Sequence, residues 1–210
     1  MNRNFLYALI AVFIVAAGVA AFSLGRLLRA RAGSSQITQT LGPAAEGVSG
    51  TRLSSPTDLS QVSLTDAEGQ TVRMGDFEKT TLVFFGFTNC PDVCPLTLSR
   101  LARLYENSSE TDSVNVVMIT VDPDDTPEVT HAYASGFHPD FVGLSGSNNQ
   151  LAEAIKAFYI GARELPDGLY SHPDAVIVLD AEGRMRYVYS GASVGALEQD
   201  LPKLLDEFSG

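Results

Sequence analysis

Cysteine and histidine are both scarce in this chain of 210 residues. The sequence holds two cysteines, Cys90 and Cys94, and three histidines, His131, His138 and His172. A structural zinc site normally takes four ligands, so the cysteines alone cannot build one. Soft-metal or redox chemistry in this chain must therefore centre on the two cysteines, which lie four positions apart.

Basic residues are also few, with 14 lysines and arginines against 25 aspartates and glutamates. Four of the 14 lie at or before Arg31, which leaves ten basic residues and a net charge of about −15 for the rest of the chain. Such a surface repels phosphate backbones, which argues against nucleic-acid binding. It suits a basic protein partner or a cationic metal, although solubility alone also explains it.

The first 31 residues are a predicted membrane anchor. No residue between Phe5 and Leu24 is charged, and a helix of about 20 apolar residues crosses a bilayer. A cleaved signal peptide is the alternative, but its apolar core is usually only about 7–15 residues long. We therefore predict an uncleaved transmembrane helix over about residues 5–24. A flexible tether is predicted over residues 32–55, which are rich in Gly, Ala, Ser, Thr and Pro.

The charges beside this apolar run do not decide its orientation. Arg26, Arg29 and Arg31 follow the run, whereas Arg3 precedes it. By the positive-inside rule, this pattern would keep the following domain in the cytoplasm. A short N-terminal anchor nevertheless often exports a long domain regardless of such charges.

Residues 56–210 carry the periodic patterns of one α/β domain. Apolar runs alternate with amphipathic stretches, which predicts a mixed central sheet with helices on both faces. The predicted strands are a hairpin within Leu59–Met74 and the segments Thr81–Phe87, Val114–Val121, Phe141–Val142, Ala175–Asp180 and Met185–Ser190. The predicted helices start at about Pro95, at Pro127 with Thr126 or Asp125 as cap, at Asn149 and at Val194. Gly161–His172 is predicted to be a loop.

The two cysteines occupy the junction between a predicted strand and a predicted helix. Functional groups gather at such junctions in α/β sheets. With this spacing both thiols project from one side of the chain, at a separation that a disulfide tolerates. The positive end of the following helix favours the thiolate, the form that binds metals and attacks disulfides. A pair of inert buried cysteines is the alternative, but the neighbouring Gly, Pro, Asn and Asp residues do not suit an apolar slot.

His172 is the histidine best placed to join the thiols. It precedes the buried strand Ala175–Asp180, which can pair beside the strand that leads to Cys90. A loop histidine that bonds the backbone is the alternative. His131 and His138 lie on a predicted helix and are expected to face solvent.

Two thiolates and one imidazole favour Cu(I), and they accommodate Cu(II) when a further ligand is added. Asp122, at the end of a second buried strand, is a candidate fourth ligand or second-shell group, or simply a turn residue. Asp92, between the thiols, is expected to bond the turn backbone.

Three segments of the chain resemble the SCO/SenC family of membrane-anchored copper chaperones. They are Phe84–Pro95 with the cysteine pair, Thr120–Pro127, and the stretch from His172 to Arg184. The resemblance covers about residues 53–205. It implies a thioredoxin-like three-layer fold, and it matches the family's copper ligands to Cys90, Cys94 and His172 and its second-loop aspartate to Asp122.

The same resemblance implies a biological role. Family members help to assemble the dinuclear copper (CuA) centre of cytochrome c oxidase subunit II, by delivering copper, by reducing its cysteines, or both. The implied partners are that subunit and a copper donor protein. The implied location is a domain outside the cytoplasm, facing the periplasm or cell exterior and held by a single N-terminal helix.

Two functions of different classes therefore remain. The first is a copper-binding metallochaperone, which is not an enzyme and which a Cys90–Cys94 disulfide would switch off. The second is a thiol–disulfide oxidoreductase with the same cysteines as its redox pair. Pro173, directly after His172, resembles the cis-proline that faces the redox pair of thioredoxins and favours this second reading. A peroxidase would need a Thr-x-x-Cys pocket with a supporting arginine, which we do not find.

Overall fold

The computed structural model describes residues 47–209. The predicted membrane span at residues 5–24, the rest of the predicted anchor and residues 32–46 of the predicted tether lie outside the described residues. Within residues 47–209, none of the helices combines the length and the apolar character that a bilayer crossing needs.

The described chain alternates strands and helices, as the sequence predicts. Its strands are β1 Thr51–Asp58, β2 Ser63–Thr65, β3 Thr71–Arg73, β4 Thr80–Gly86, β5 Val114–Thr120, β6 Val142–Leu144, β7 Arg163–Glu164, β8 Tyr170–Ser171, β9 Ala175–Leu179 and β10 Arg184–Ser190. Its α-helices are α1 Val93–Asn107, α2 Pro127–Ser135, α3 Asn148–Ala157 and α4 Leu197–Ser209. Short 3₁₀ helices cover Met74–Phe77, Thr111–Ser113 and Gly191–Ala196.

Six strands form one central sheet in the order β1-β10-β9-β4-β5-β6. The pairs β1–β10, β10–β9 and β9–β4 are antiparallel, whereas β4–β5 and β5–β6 are parallel. Every residue of β4 and β9 is buried, so the middle of the sheet is covered on both faces. This confirms the prediction of a mixed α/β fold with a central mixed sheet and helices.

Strand direction brings the functional segments to one end of this sheet. Because β4 and β5 run parallel, with Gly86 opposite Thr120, both strands finish at the same end. Because β9 runs antiparallel to β4, its first residues start at that end. We call this the site end of the sheet. It receives the turn after β4, the turn after β5 and the segment before β9.

Helix α1 begins at Val93, two residues earlier than predicted. The Asp92 carboxylate accepts a hydrogen bond from the Val93 N–H at 2.5 Å and caps the helix. Pro95 then falls within the first turn, where backbone N–H groups have no partner inside the helix and a proline costs little. The cap predicted for α2 is confirmed, because the Thr126 side chain accepts from the Val129 N–H and Pro127 is the first helical residue.

Strands in two parts of the chain differ from the sequence prediction. Strand β1 begins at Thr51, inside the predicted tether and ahead of the predicted domain start at residue 56. It is an edge strand whose pairing with β10 shifts register between Arg52 and Thr57, so its polar residues show no clean alternation. Strands β7 and β8 form a small hairpin within the predicted loop, and two residues each are too few for a periodic signal.

The turn between β9 and β10 is organised by a buried carboxylate. Asp180 is 2% exposed, and its side chain accepts from the Arg184 backbone N–H at 2.9 Å, from Arg184 Nε at 2.9 Å and from Arg186 at 3.0 Å. Burial by itself would raise the pKa of Asp180. The Arg184 backbone hydrogen bond and the two guanidinium groups outweigh burial, so the pKa lies below its ordinary value.

Replacing Asp180 by asparagine should lower the free energy of unfolding by about 3 kcal/mol at neutral pH, because two arginines then lose a buried partner. A carboxyl with a lowered native pKa stabilises the fold above its unfolded-state pKa of about 3.9, and this contribution disappears as the pH falls through the native pKa. The difference between wild type and Asp180→Asn in urea denaturation should therefore shrink below about pH 4.

Glu182→Gln is the matched control, because Glu182 pairs with Arg184 but its side chain is 63% exposed. This change should alter the free energy of unfolding by less than about 1 kcal/mol. Equal losses in the two variants, or a pH-independent loss for Asp180→Asn, would contradict the role given to the buried carboxylate.

Candidate metal centre

The structure brings Cys90, Cys94 and His172 together at the site end of the sheet. Cys90 lies in the turn between β4 and α1, Cys94 is the second residue of α1, and His172 lies between β8 and β9. One ligand atom from each, two sulfurs and an imidazole nitrogen, lie within 4.8 Å of one another. Cys94 Sγ and His172 Nε2 lie 3.5 Å apart, across 78 positions of the chain.

The turn before α1 fixes both cysteines. The Cys90 N–H donates to the Phe87 carbonyl at 3.3 Å, and the Cys94 N–H donates to Cys90 Sγ at 3.3 Å. Asp92 caps the helix, so its carboxylate bonds backbone as expected. Both cysteines are free; Cys94 is fully buried, whereas Cys90 is partly exposed. The pair therefore combines one buried and one partly exposed cysteine.

Gly86, the last residue of β4, lets Cys94 approach the sheet. A Cβ atom at this position would lie 2.7 Å from the Phe84 ring and 3.1 Å from Cys94 Sγ. Real side chains do not tolerate the first of these distances, so any other residue would push the ring or the sulfur away. Gly86 therefore allows Cys94 Sγ to pack closely against the end of β4.

The hydrogen bond at the far side of the His172 ring fixes its tautomer. Nδ1 lies 3.1 Å from the Pro173 carbonyl oxygen, which can only accept a hydrogen bond. In the neutral imidazole Nδ1 therefore carries the proton, and Nε2 points its lone pair towards Cys94. The rings of Phe84 and Phe87 hold the imidazole from two sides, with centroids 6.0 and 5.9 Å away.

Pro173 lacks the cis peptide bond that its resemblance to the thioredoxin proline suggests. The described residues contain no cis peptide bond. The bond before Pro173 is therefore trans, unlike that of the thioredoxin proline which the sequence resembles at this point.

The electrostatics of Cys94 differ from the sequence expectation. Burial, followed by the hydrogen bond with Cys90, raises the pKa of the Cys94 thiol well above its ordinary value. The positive end of α1 does not compensate for the loss of water around the sulfur. In the metal-free protein Cys94 is thus a neutral thiol at physiological pH, and a metal that binds its thiolate must displace the proton.

Asp122 lies at the site end of the sheet but outside the group of three ligand atoms. Its carboxylate accepts from the Asp124 N–H at 2.9 Å and is 8% exposed. Burial, then the nearby charges of Asp125, Asp124 and Glu164, raise the pKa of Asp122. These contacts are those of a turn residue in an acidic neighbourhood.

The other two histidines also lie outside the group and make structural contacts. His131 Nδ1 accepts from the Gly143 N–H at 3.4 Å, and the His138 ring lies 4.6 Å from that of Tyr105. Both residues are half-buried, so the expectation that they face solvent is only partly met.

Asp125 organises the site, and the sequence reasoning assigned it only as a possible helix cap. It is 5% exposed, and its carboxylate accepts from the Thr88 backbone N–H at 2.9 Å and from Thr120 Oγ1 at 2.7 Å. It therefore ties the turn that carries Cys90 to the end of β5. The position of Asp125 directly before Thr126 indicates only a helix cap. Its other partners come close to it only once the strands are paired.

The donor set determines which metal fits. Two sulfurs and one imidazole nitrogen form a soft, three-donor set that suits Cu(I) in particular. Among the described residues no fourth His, Cys, Asp or Glu ligand atom joins this group, as a closed structural zinc site would normally require. Of the two cysteines, Cys90 is the one that retains contact with solvent.

Comparison with known proteins agrees with this geometry. Residues 54–205 match the family described as SCO1/SenC. A SCO2-like protein of Rickettsia felis is 35% identical over 123 residues, which cover 54% of this chain and 60% of that protein. The match thus spans less than two thirds of the length of this relative.

Solved structures show the same fold. Apo Sco1 of Thermus thermophilus has a TM-score of 0.68 and 38% identity, and the match covers 78% of this chain and all of that one. Arabidopsis thaliana ScoI with copper bound has a TM-score of 0.64 and 29% identity, with 73% of this chain and 98% of that one covered. These matches confirm the resemblance inferred from the cysteine and histidine segments. The chain belongs to the SCO1/SenC family.

Proposed function

We propose that this protein is a copper chaperone that binds copper through Cys90, Cys94 and His172 and assists assembly of the CuA centre of cytochrome c oxidase subunit II. The observation that carries the proposal is the convergence of two sulfurs and an imidazole nitrogen within 4.8 Å. Membership of the SCO1/SenC family and the copper-bound structure of the Arabidopsis thaliana relative support copper as the metal.

Copper in this proposal is cargo, and it moves by ligand exchange. Cys90 is the more exposed of the two cysteines, so a donor protein would meet it first, while Cys94 and His172 supply the other two ligands. For release, a thiolate of the recipient replaces one protein ligand at a time, and the copper remains Cu(I) throughout. Three donors suffice to hold Cu(I) yet leave room for the incoming thiolate.

The proposal also includes the membrane. The uncharged run at residues 5–24 supports a single N-terminal anchor within residues 1–31, and the stretch from residue 32 to the start of β1 supports a tether. The domain that follows would face the periplasm or cell exterior. Its partners there would be a copper donor protein and subunit II of the oxidase.

Thiol–disulfide exchange is the second candidate, favoured by two free cysteines whose sulfurs lie within 4.8 Å of each other. The Cys90 thiolate would attack a partner disulfide to form a mixed disulfide and release one partner thiolate. Cys94, after losing its proton, would then displace the second partner sulfur. The products are a Cys90–Cys94 disulfide and a reduced partner, so two electrons pass to the partner.

Replacing His172 by alanine separates the two candidates. Mutating a hydrogen-bond partner of a metal ligand typically lowers metal affinity by about 10- to 100-fold. Removing a ligand itself should weaken Cu(I) binding by more than this. Thiol exchange keeps both of its cysteines in this variant, so reduction of insulin disulfides should persist while Cu(I) binding is lost. The measurements are Cu(I) affinity and stoichiometry in competition with bicinchoninate, alongside the insulin assay.

His131→Ala is the matched control, because it removes a histidine that lies outside the ligand group. It should retain wild-type Cu(I) affinity. Unchanged Cu(I) affinity in His172→Ala would remove the third ligand from the proposal, and thiol exchange would then be the better account.

Oxidation of the thiol pair gives a second test. A Cys90–Cys94 disulfide has no thiolate to offer, so the oxidised protein should not bind Cu(I), and dithiothreitol should restore one copper per chain. Cys90→Ser cannot form this disulfide, and oxidant should leave its weaker binding unchanged. Equal Cu(I) binding by the oxidised and reduced wild-type proteins would contradict the site.

A further inference from the structure

The segment that carries His172 is short and is held by the sheet. Only Pro173 and Asp174 separate His172 from the start of β9. The carbonyl of Asp174 accepts a hydrogen bond from the Gly191 N–H at 3.0 Å. Because so few bonds lie between them, a displacement of Asp174 also displaces the imidazole.

The side chain of Asp174 reaches the helix that carries Cys94. Its Oδ1 accepts a hydrogen bond from Thr97 Oγ1 at 2.9 Å, across 77 positions of the chain. Thr97 is 0% exposed and lies three residues after Cys94 in α1, so the two side chains share one side of the helix. This bond joins the element that positions the buried sulfur to the segment that positions the imidazole.

We propose that the Thr97–Asp174 hydrogen bond sets the distance between the His172 imidazole and the Cys94 sulfur, which makes Thr97 a positioning residue of the metal centre. The copper part of this inference rests on the proposed function. Thr97 touches neither the sulfur nor the metal in this scheme, and it acts through Asp174 alone. Without its hydroxyl, the half-buried Asp174 carboxylate loses its tie to α1 and turns towards water.

The first test uses the metal-free protein and two variants. Thr97→Val keeps the volume of the side chain but removes the hydroxyl, whereas Thr97→Ser keeps the hydroxyl. In wild type, NMR should show nuclear Overhauser contacts between the His172 ring and the rings of Phe84 and Phe87, whose centroids lie 6.0 and 5.9 Å away. These contacts should weaken in Thr97→Val and return in Thr97→Ser.

The second readout is copper itself. Loss of a hydrogen-bond partner of a ligand typically costs about 10- to 100-fold in metal affinity. Thr97 acts one bond further out, through Asp174, so Thr97→Val should weaken Cu(I) binding by the lower end of this range, about 10-fold. Its sulfur-to-Cu(II) charge-transfer absorption should also shift, since the imidazole no longer sits at its wild-type position. Thr97→Ser should restore both the affinity and the absorption spectrum.

Thr81→Val is the matched control for general destabilisation. Thr81 is 1% exposed, and its hydroxyl donates to the Lys79 carbonyl at 3.0 Å at the opposite end of β4. This variant should lose stability but keep the wild-type Overhauser contacts, copper affinity and spectrum. A copper loss as large as that of Thr97→Val would show that stability, not position, matters, and would overturn the inference.

Two other results would also overturn it: wild-type Overhauser contacts in Thr97→Val, or failure of Thr97→Ser to restore them. Failure of the proposed function has a different signature. In that case the wild-type protein would not bind copper through His172, while the Overhauser contacts of the metal-free variants would still decide whether Thr97 positions the imidazole.

Discussion

The antiparallel pairing of β4 with β9 is the constraint on which the metal centre depends. Phe84 lies opposite Val176, so the end of one strand and the start of the other meet at the same end of the sheet. Cys90 and Cys94 follow the first strand, and His172 precedes the second. Every residue of β9 is buried, so a slip of one residue would exchange its side chains between two close-packed faces and mispack both. Core packing therefore fixes the register, and the register brings the ligands together.

The two sulfurs of the centre have different surroundings and therefore different tasks. Cys94 is buried against Gly86, and burial raises the pKa of its thiol, so it stays protonated until a metal displaces the proton. Cys90 is partly exposed, and in the proposed copper transfer it is the sulfur that would meet donor or recipient first. Asp125, which ties Thr88 to β5, holds the turn that presents this sulfur. The fold thus supplies a protected ligand, an exposed ligand and a fixed imidazole.

The sequence predicted those parts of the site that depend only on short stretches of the chain. The apolar run before Cys90 and the buried strand after His172 indicated where each ligand would lie. They could not show that Cys94 would be buried deeply enough to overcome the helix dipole. The roles of Asp125 and Thr97 could not be predicted, because the partners of both side chains lie far away in the chain. Residues 51–55 of β1 fall within the predicted tether because the irregular pairing of this strand with β10 hides the alternation of a strand.

The most direct test of the account is X-ray absorption at the copper edge of the reduced wild-type protein loaded with one equivalent of Cu(I). The account predicts a three-coordinate copper with two sulfur ligands from Cys90 and Cys94 and one imidazole nitrogen from His172. A spectrum with sulfur ligands alone, or one dominated by nitrogen and oxygen, would contradict it.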